Sequence, residues 1–210
     1  MTGLLTHPAL RGEVLRVRTE DFREDKNQDL YECLLGEGVI KDKKTGGFEM
    51  YYTGFGRLNL LLRLTAAILA NVRTHGADRA NLEIIFPLIK DPAEIRYIKE
   101  RILPVAVAAA RQRLLGSGAP DASQFTDEYL LRGISFGMML ETPEAVRNLE
   151  RFLADDWLTV FNGGLNDFQL LDTEVTLRLP TGGLERDDPW YAIFIQQKDP
   201  GFINKIYGIV

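Results

Sequence analysis

Two short stretches carry the residue types that oxygen-based metal chemistry needs. Gly137-Met-Met-Leu-Glu141-Thr-Pro143 puts a carboxylate directly after apolar residues, and Gly164-Leu-Asn-Asp167 puts a second one after a pair of glycines. Two carboxylates at strand ends can hold Mg²⁺, which keeps several waters and takes its remaining ligands from substrate oxygens. A guanidinium forks onto carboxylate or phosphate, and Arg18 stands at the end of the apolar-patterned Val14-Leu-Arg-Val17. Glu141 and Asp167 are therefore expected to bind the cation and Arg18 a small oxyacid. Each has a plainer reading. Glu141 precedes Thr142-Pro143, where a helix dipole favours an acid. Asn166-Asp167 after Gly163-Gly164, taken alone, reads as a turn or helix cap, and Arg18 alone as a surface or salt-bridge arginine. A charge directly after four apolar strand residues sits near the core, which favours the functional reading for Glu141.

Composition narrows the class. The chain has 210 residues, long enough to bury a substantial core as one domain. A hydrophobic share of 45% and a charged share of 26% are ordinary for a soluble globular protein. Net charge is −5, and the basic residues are scattered among acids, which argues against nucleic acid as a partner. The first residues lack a basic start followed by an apolar run, so no signal peptide is expected. Charges also break the apolar stretches before membrane-spanning length. A single cysteine, Cys33, excludes an intrachain disulfide and a Cys-based zinc site. His7 and His75 are isolated, and His75 lies in a polar loop where a solvated histidine is expected. The chain reads as cytoplasmic, with any metal hard and oxygen-ligated.

The elements that must position these residues alternate short apolar runs with longer helical patterns, which predicts parallel strands joined by helices. Strands are expected at Val14–Val17, Leu82–Phe86, Ile134–Leu140 and Leu158–Phe161. A charged, glycine-punctuated loop is expected from Arg23 to about Gly47. A helix over Leu58–Val72, apolar nearly all round, should be buried against the sheet. Asp91-Pro92 opens another helix with an N-cap and a first-turn proline, running to about Leu115 whole or broken at Pro104. Thr142-Pro143 starts a helix to about Leu153. Further on, Glu174–Leu179 is strand or irregular, Pro189–Lys198 fits a helix, and Ile206–Val210 fits a final strand. A β/α succession without a Gly-rich phosphate loop favours a TIM (β/α)8-type barrel over an open nucleotide-binding sheet.

Together these strand ends resemble the C-terminal phosphoenolpyruvate/pyruvate-binding barrel of the phosphoenolpyruvate-utilising enzymes, closest to the phosphoenolpyruvate synthase version. Gly137-Met-Met-Leu-Glu-Thr-Pro143 is similar to that family's G-x-M-x-E-x-P strand, and Phe161-Asn-Gly-Gly-Leu-Asn-Asp167 to its F-S-x-G-[TS]-N-D strand. Val17-Arg-Thr-Glu-Asp-Phe22 resembles its V-R-x-x-D-F block, and Asn81-Leu-Glu-Ile-Ile-Phe-Pro-Leu-Ile89 its strand ending in proline. The blocks agree in order and spacing over most of the chain. The resemblance implies Glu141 and Asp167 as Mg²⁺ ligands, Asn166 and Gly164 in contact with substrate, and Arg18 on its carboxylate or phosphate. It also implies catalytic roles for Arg18, Arg57 and Asn166. Arg57 matches the family's G-x-R-G arginine with an offset of one position, in Gly54-Phe-Gly-Arg57. Implied partners are a phosphohistidine-bearing domain or chain, and by family habit a second copy.

Three departures limit the resemblance. Leu165 replaces the family's Thr or Ser. The first barrel strand has no counterpart, so the barrel is expected to be incomplete. Lys205-Ile-Tyr-Gly-Ile-Val210 resembles the last strand, but valine stands at the place of the cysteine that protonates the enolate, and valine cannot transfer a proton. Three readings follow: an enzyme or enzyme fragment of the phosphoenolpyruvate-utilising phosphotransferase class, or an impaired relative; a non-catalytic sensing or assembly protein on the same fold; or a Mg²⁺-dependent aldolase of the citrate-lyase type.

Overall fold

The computed structural model describes residues 1–22, 28–41, 47–75, 79–117 and 124–163. Four strands, β1 (Val14–Arg18), β2 (Asn81–Phe86), β3 (Ile134–Leu140) and β4 (Leu158–Gly163), form one sheet in the order β1-β2-β3-β4. Every pair is parallel. Parallel neighbours need long crossovers, and helices supply them. Among the described residues the chain is thus an α/β fold whose strands follow one another without a reversal of order.

Helix α1 (Thr2–Leu5) precedes β1, and α2 (Gln28–Gly36) and α3 (Gly54–Arg73) lie between β1 and β2. Between β2 and β3 come α4 (Pro92–Tyr97), a π-helical turn (Ile98–Ile102), α5 (Leu103–Gly116) and α6 (Asp127–Leu131). Helices α7 (Pro143–Arg147) and α8 (Leu149–Leu153) join β3 to β4.

Strand alternation sorts the side chains onto two faces. Leu82, Ile84, Phe86, Phe136, Met138 and Leu140 belong to the buried cluster that also contains Leu60, Leu64 and Ile68 of α3 and Val107 and Ala110 of α5. The opposite face carries Arg16, Arg18, Glu83, Ile85, Gly137 and Met139. There Arg16 and Glu83 are register partners, with Nε 2.7 Å from Oε2. Ile85 is fully buried yet stands outside the helix-side cluster. One glycine in this sheet is demanded by contact: a Cβ on Gly137 would lie 2.4 Å from the Val160 carbonyl oxygen. The register shifts between Phe136 and Gly137, and Thr159 is the extra residue of that bulge.

Several elements depart from the sequence expectations. The sequence predicts loop over Arg23–Gly47, yet this stretch contains α2, whose Tyr31 and Leu34 are buried. The charges around α2 hide a short apolar face. Helix α3 begins four residues earlier than Leu58, capped by Thr53 Oγ1, which accepts from Gly56 N–H at 3.0 Å. Although α3 is apolar nearly all round, Leu58 and Leu62 are more than half exposed. It is the one described helix long and apolar enough to cross a membrane, and 44% of its apolar window is buried inside the protein.

Pro104 does not break its helix. It lacks an N–H and would crowd the carbonyl four residues back, and the chain answers with a π turn in which Leu103 N–H reaches Ile98 O. The helix expected after Thr142 is divided at Asn148, which leaves helical geometry and donates Nδ2 to Lys90 O at 3.0 Å. The expected elements at 174–179, 189–198 and 206–210 lie outside the described residues.

Candidate functional site

The C-terminal ends of the four parallel strands lie on one edge of the sheet, where loops diverge and ligands are commonly held. Glu141 follows β3 and is fully buried. Its Oε1 accepts the Leu88 backbone N–H at 2.7 Å. That donor belongs to the loop after β2, so the carboxylate is tied across two neighbouring strand ends. A buried carboxylate persists only with such partners.

Leu88 reaches this position through an unusual backbone. Its φ of 56° is the one positive value for a non-glycine among the described residues. Pro87 ends β2, because it has no N–H to continue the ladder. The rest of the loop is fixed from β3's side. Thr142 Oγ1 donates to Ile89 O at 3.0 Å and accepts from Ala145 N–H at 3.1 Å, so one hydroxyl caps α7 and anchors the neighbouring loop. Further along, Asp91 and Glu94 form a capping box at the start of α4.

The β1 end is built differently. Arg18 is partly exposed, with Nη2 4.0 Å from Asp21 Oδ2 and Nη1 3.7 Å from Met139 Sδ. The guanidinium therefore extends toward β3 over the sheet face opposite the helix-side core. Thr19 and Asp21 are buried. Thr19 Oγ1 meets Tyr51 Oη at 3.1 Å, and Tyr51 donates to Glu20 O at 3.1 Å. Burial, with a smaller opposing effect from Thr19, pushes the Tyr51 hydroxyl up to about 12. Tyr31 Oη donates to Phe22 O at 2.9 Å. Two buried tyrosines thus hold the segment leaving β1.

The sequence-predicted residues are distributed unevenly. Arg18 and Glu141 both stand at strand ends on the same sheet edge, two strands apart. Arg57 is exposed on the first turn of α3. It lines a groove of about 370 Å³ with Leu58, Leu61, Arg101, Ile102 and Val105. Arg18 lines a different groove, of about 230 Å³, between β1 and α3. Each of these two grooves holds one of the two arginines. Gly164, Asn166 and Asp167, with Leu165 and Val210, lie outside the described residues. Within the described residues no group of three His, Cys, Asp or Glu side chains is close enough to hold a metal ion.

Sequence reasoning missed Leu88 and the second bond of Thr142. Nothing in the residue type announces a left-handed leucine, and Thr142 was legible only as a helix cap. Asp21 lies in the Val17–Phe22 block, where the residue pattern assigns it no role. His75, expected to be solvated, is half-buried, with Nε2 3.3 Å from Asn71 Nδ2 and its ring edge-on to Tyr129 at 4.7 Å. No protein-family model matches the chain, and no curated protein matches it significantly.

Proposed function

We propose that the chain binds a small oxyacid of the pyruvate or phosphoenolpyruvate type together with Mg²⁺, at the C-terminal edge of its parallel sheet. The single observation that carries this reading is the fully buried Glu141 carboxylate, tied to a loop N–H at a strand end, on the sheet edge that Arg18 shares. Hard oxygen donors suit Mg²⁺, and Glu141 with Asp167 would supply them. When bound, the ion offsets negative charge that develops on substrate oxygens. Arg18 would bind the substrate's carboxylate or phosphate, with Asn166 and Gly164 beside it, and Asp21 would steady the guanidinium. Arg57, in a separate groove from Arg18, has the weaker support as a substrate contact.

The sequential order of the parallel strands supports a (β/α)8-type barrel of the phosphoenolpyruvate-utilising kind as the complete architecture. The assignment rests on sequence blocks, and a cytoplasmic location goes with it. Phosphoryl transfer would require a phosphohistidine from another domain or chain. With Val210 at the position of the family's acid, ligand binding is the core of the proposal and turnover is secondary to it.

Calorimetric titration with Mg²⁺ and oxalate tests the site. Saturable, Mg²⁺-dependent oxalate binding that is lost in Glu141→Ala and Asp167→Ala is the expected result. Equal binding in those variants, or none in the parent protein, would reject the reading. Retro-aldol cleavage of a 4-hydroxy-2-keto acid would move the assignment to the aldolase class.

A further inference from the structure

We infer that Leu88 is a positioning residue for Glu141, and that its strained backbone links the β1–α3 connection to that carboxylate. A left-handed leucine is disfavoured relative to glycine, because its Cβ crowds the neighbouring carbonyl oxygen. Such conformations persist where the surroundings over-determine them, and they gather at functional sites.

Here the surroundings are identifiable. The Leu88 side chain is 6% exposed but does not belong to the helix-side core. It packs on Gly47, where an added Cβ would sit 3.5 Å from Leu88 Cδ1. Gly47 in turn donates its N–H to Phe22 O at 2.5 Å, on the segment that leaves β1. On the other side, Thr142 holds Ile89 O and Asn148 holds Lys90 O. The loop is pinned on both flanks, and between them the Leu88 N–H donates to Glu141 Oε1 at 2.7 Å.

That bond helps to orient the carboxylate and occupies one acceptor direction on Oε1. Partners of this kind orient ligating groups, and their loss typically weakens metal binding about 10–100-fold. A shift of the β1–α3 connection, which carries the residues around Arg18 and Gly47, would pass through the Leu88 side chain to the Leu88 N–H and then to Glu141. Glycine would adopt the same backbone more cheaply. It would lack the side chain that makes this connection, which accounts for a leucine at a strained position.

The test has two readouts, and only the second rests on the proposed metal role of Glu141. The first is hydrogen exchange at the Leu88 amide, expected to be slow in the parent protein, much faster in Glu141→Ala, and unchanged in Glu83→Ala. The second is Mn²⁺ affinity, followed by electron paramagnetic resonance. Replacing Leu88 by its α-hydroxy-acid analogue exchanges the N–H for an ester oxygen and keeps the side chain. Affinity should fall about 10–100-fold in the ester. It should fall by less in Leu88→Gly, which keeps the N–H but loses the side chain packed on Gly47, and parent-like affinity in that variant would overturn the link to the β1–α3 connection. Unchanged amide exchange in a folded Glu141→Ala protein, or an ester that binds Mn²⁺ like its parent, would overturn the inference. If the parent protein binds no Mn²⁺, the metal reading fails by itself and amide exchange alone decides the positioning role.

Discussion

The phenolic oxygen of Tyr51 lies 3.1 Å from Oγ1 of Thr19, bonding the turn before α3 to the first residue beyond β1. The same hydroxyl donates to Glu20 O, so Thr19 is the donor in the first bond. An aromatic group (Phe22, Phe48, Tyr51 and Tyr52) packs edge-on around this point. The residues after β1 are therefore fixed by tertiary contacts made from a distant turn, and the position of Arg18 depends on them.

This arrangement predicts alkaline sensitivity. The Tyr51 hydroxyl is raised to about 12 from an ordinary 10.0. Its contribution to stability is fully present below the unfolded value, because both states are then protonated alike. It is lost as pH rises toward the folded value, where the unfolded chain has released its proton and the native state has not. Urea unfolding should show a steeper loss of stability between pH 9 and pH 11.5 in the parent protein than in Tyr51→Phe. Parallel slopes would show that burial does not perturb this hydroxyl.

Thr142 should be sensitive to loss of its hydroxyl and tolerant of a smaller residue that keeps it. Thr142→Val leaves Ile89 O and Ala145 N–H without a partner in a fully buried place. The expected cost is about 1–3 kcal/mol. Thr142→Ser should recover most of it. A destabilised Thr142→Ser beside a tolerated Thr142→Val in chemical unfolding would instead point to the methyl group as the stabilising part.

Gly137 should resist substitution for steric reasons alone. A Cβ there would lie 2.4 Å from Val160 O and 2.6 Å from Val160 Cβ. Gly137→Ala should therefore push β3 and β4 apart and cost about 1–3 kcal/mol or more. Gly36→Ala, at the end of α2 with nothing within 4 Å of its added Cβ, should change stability by less than about 0.5 kcal/mol. Thermal unfolding of the two variants makes the comparison directly.

The strands were the most legible part of the sequence. Ile134–Leu140 is bounded correctly because Gly133 and Glu141 flank a mostly apolar run of strand length. Helix α2 was not legible, since its charges and its flanking glycines resemble a loop and its short apolar face shows itself only when Tyr31 and Leu34 pack. The π turn follows from Pro104, but the sequence allowed a break there equally well. In the candidate site, Glu141 was readable from its place after an apolar strand. Its partner was not, because a backbone N–H has no residue signature and Leu88 gives no hint of a positive φ. The Arg18–Met139 contact likewise spans two strands, and only the register places those side chains on one face.

His75 should make the protein less stable in mild acid. Asn71 is fully buried and donates Nδ2 to Arg132 O at 2.9 Å, with His75 Nε2 at 3.3 Å. That geometry suits a neutral imidazole accepting at Nε2, and protonation would set donor against donor. Burial, followed by the charges of Arg79 and Arg132, lowers the His75 pKa from its ordinary 6.5. The unfolded chain then binds its proton at a higher pH than the native state does. Stability from this histidine is therefore complete above about 6.5 and declines as pH falls through that value toward the lower native one. Tyr129 faces the ring from α6 and carries no charge in this range, so it does not reverse the sign. Unfolding free energies measured from pH 8 to pH 5 should drop more in the parent protein than in His75→Gln. A parent protein whose acid sensitivity matches that variant would show that the Asn71 contact does not govern the histidine.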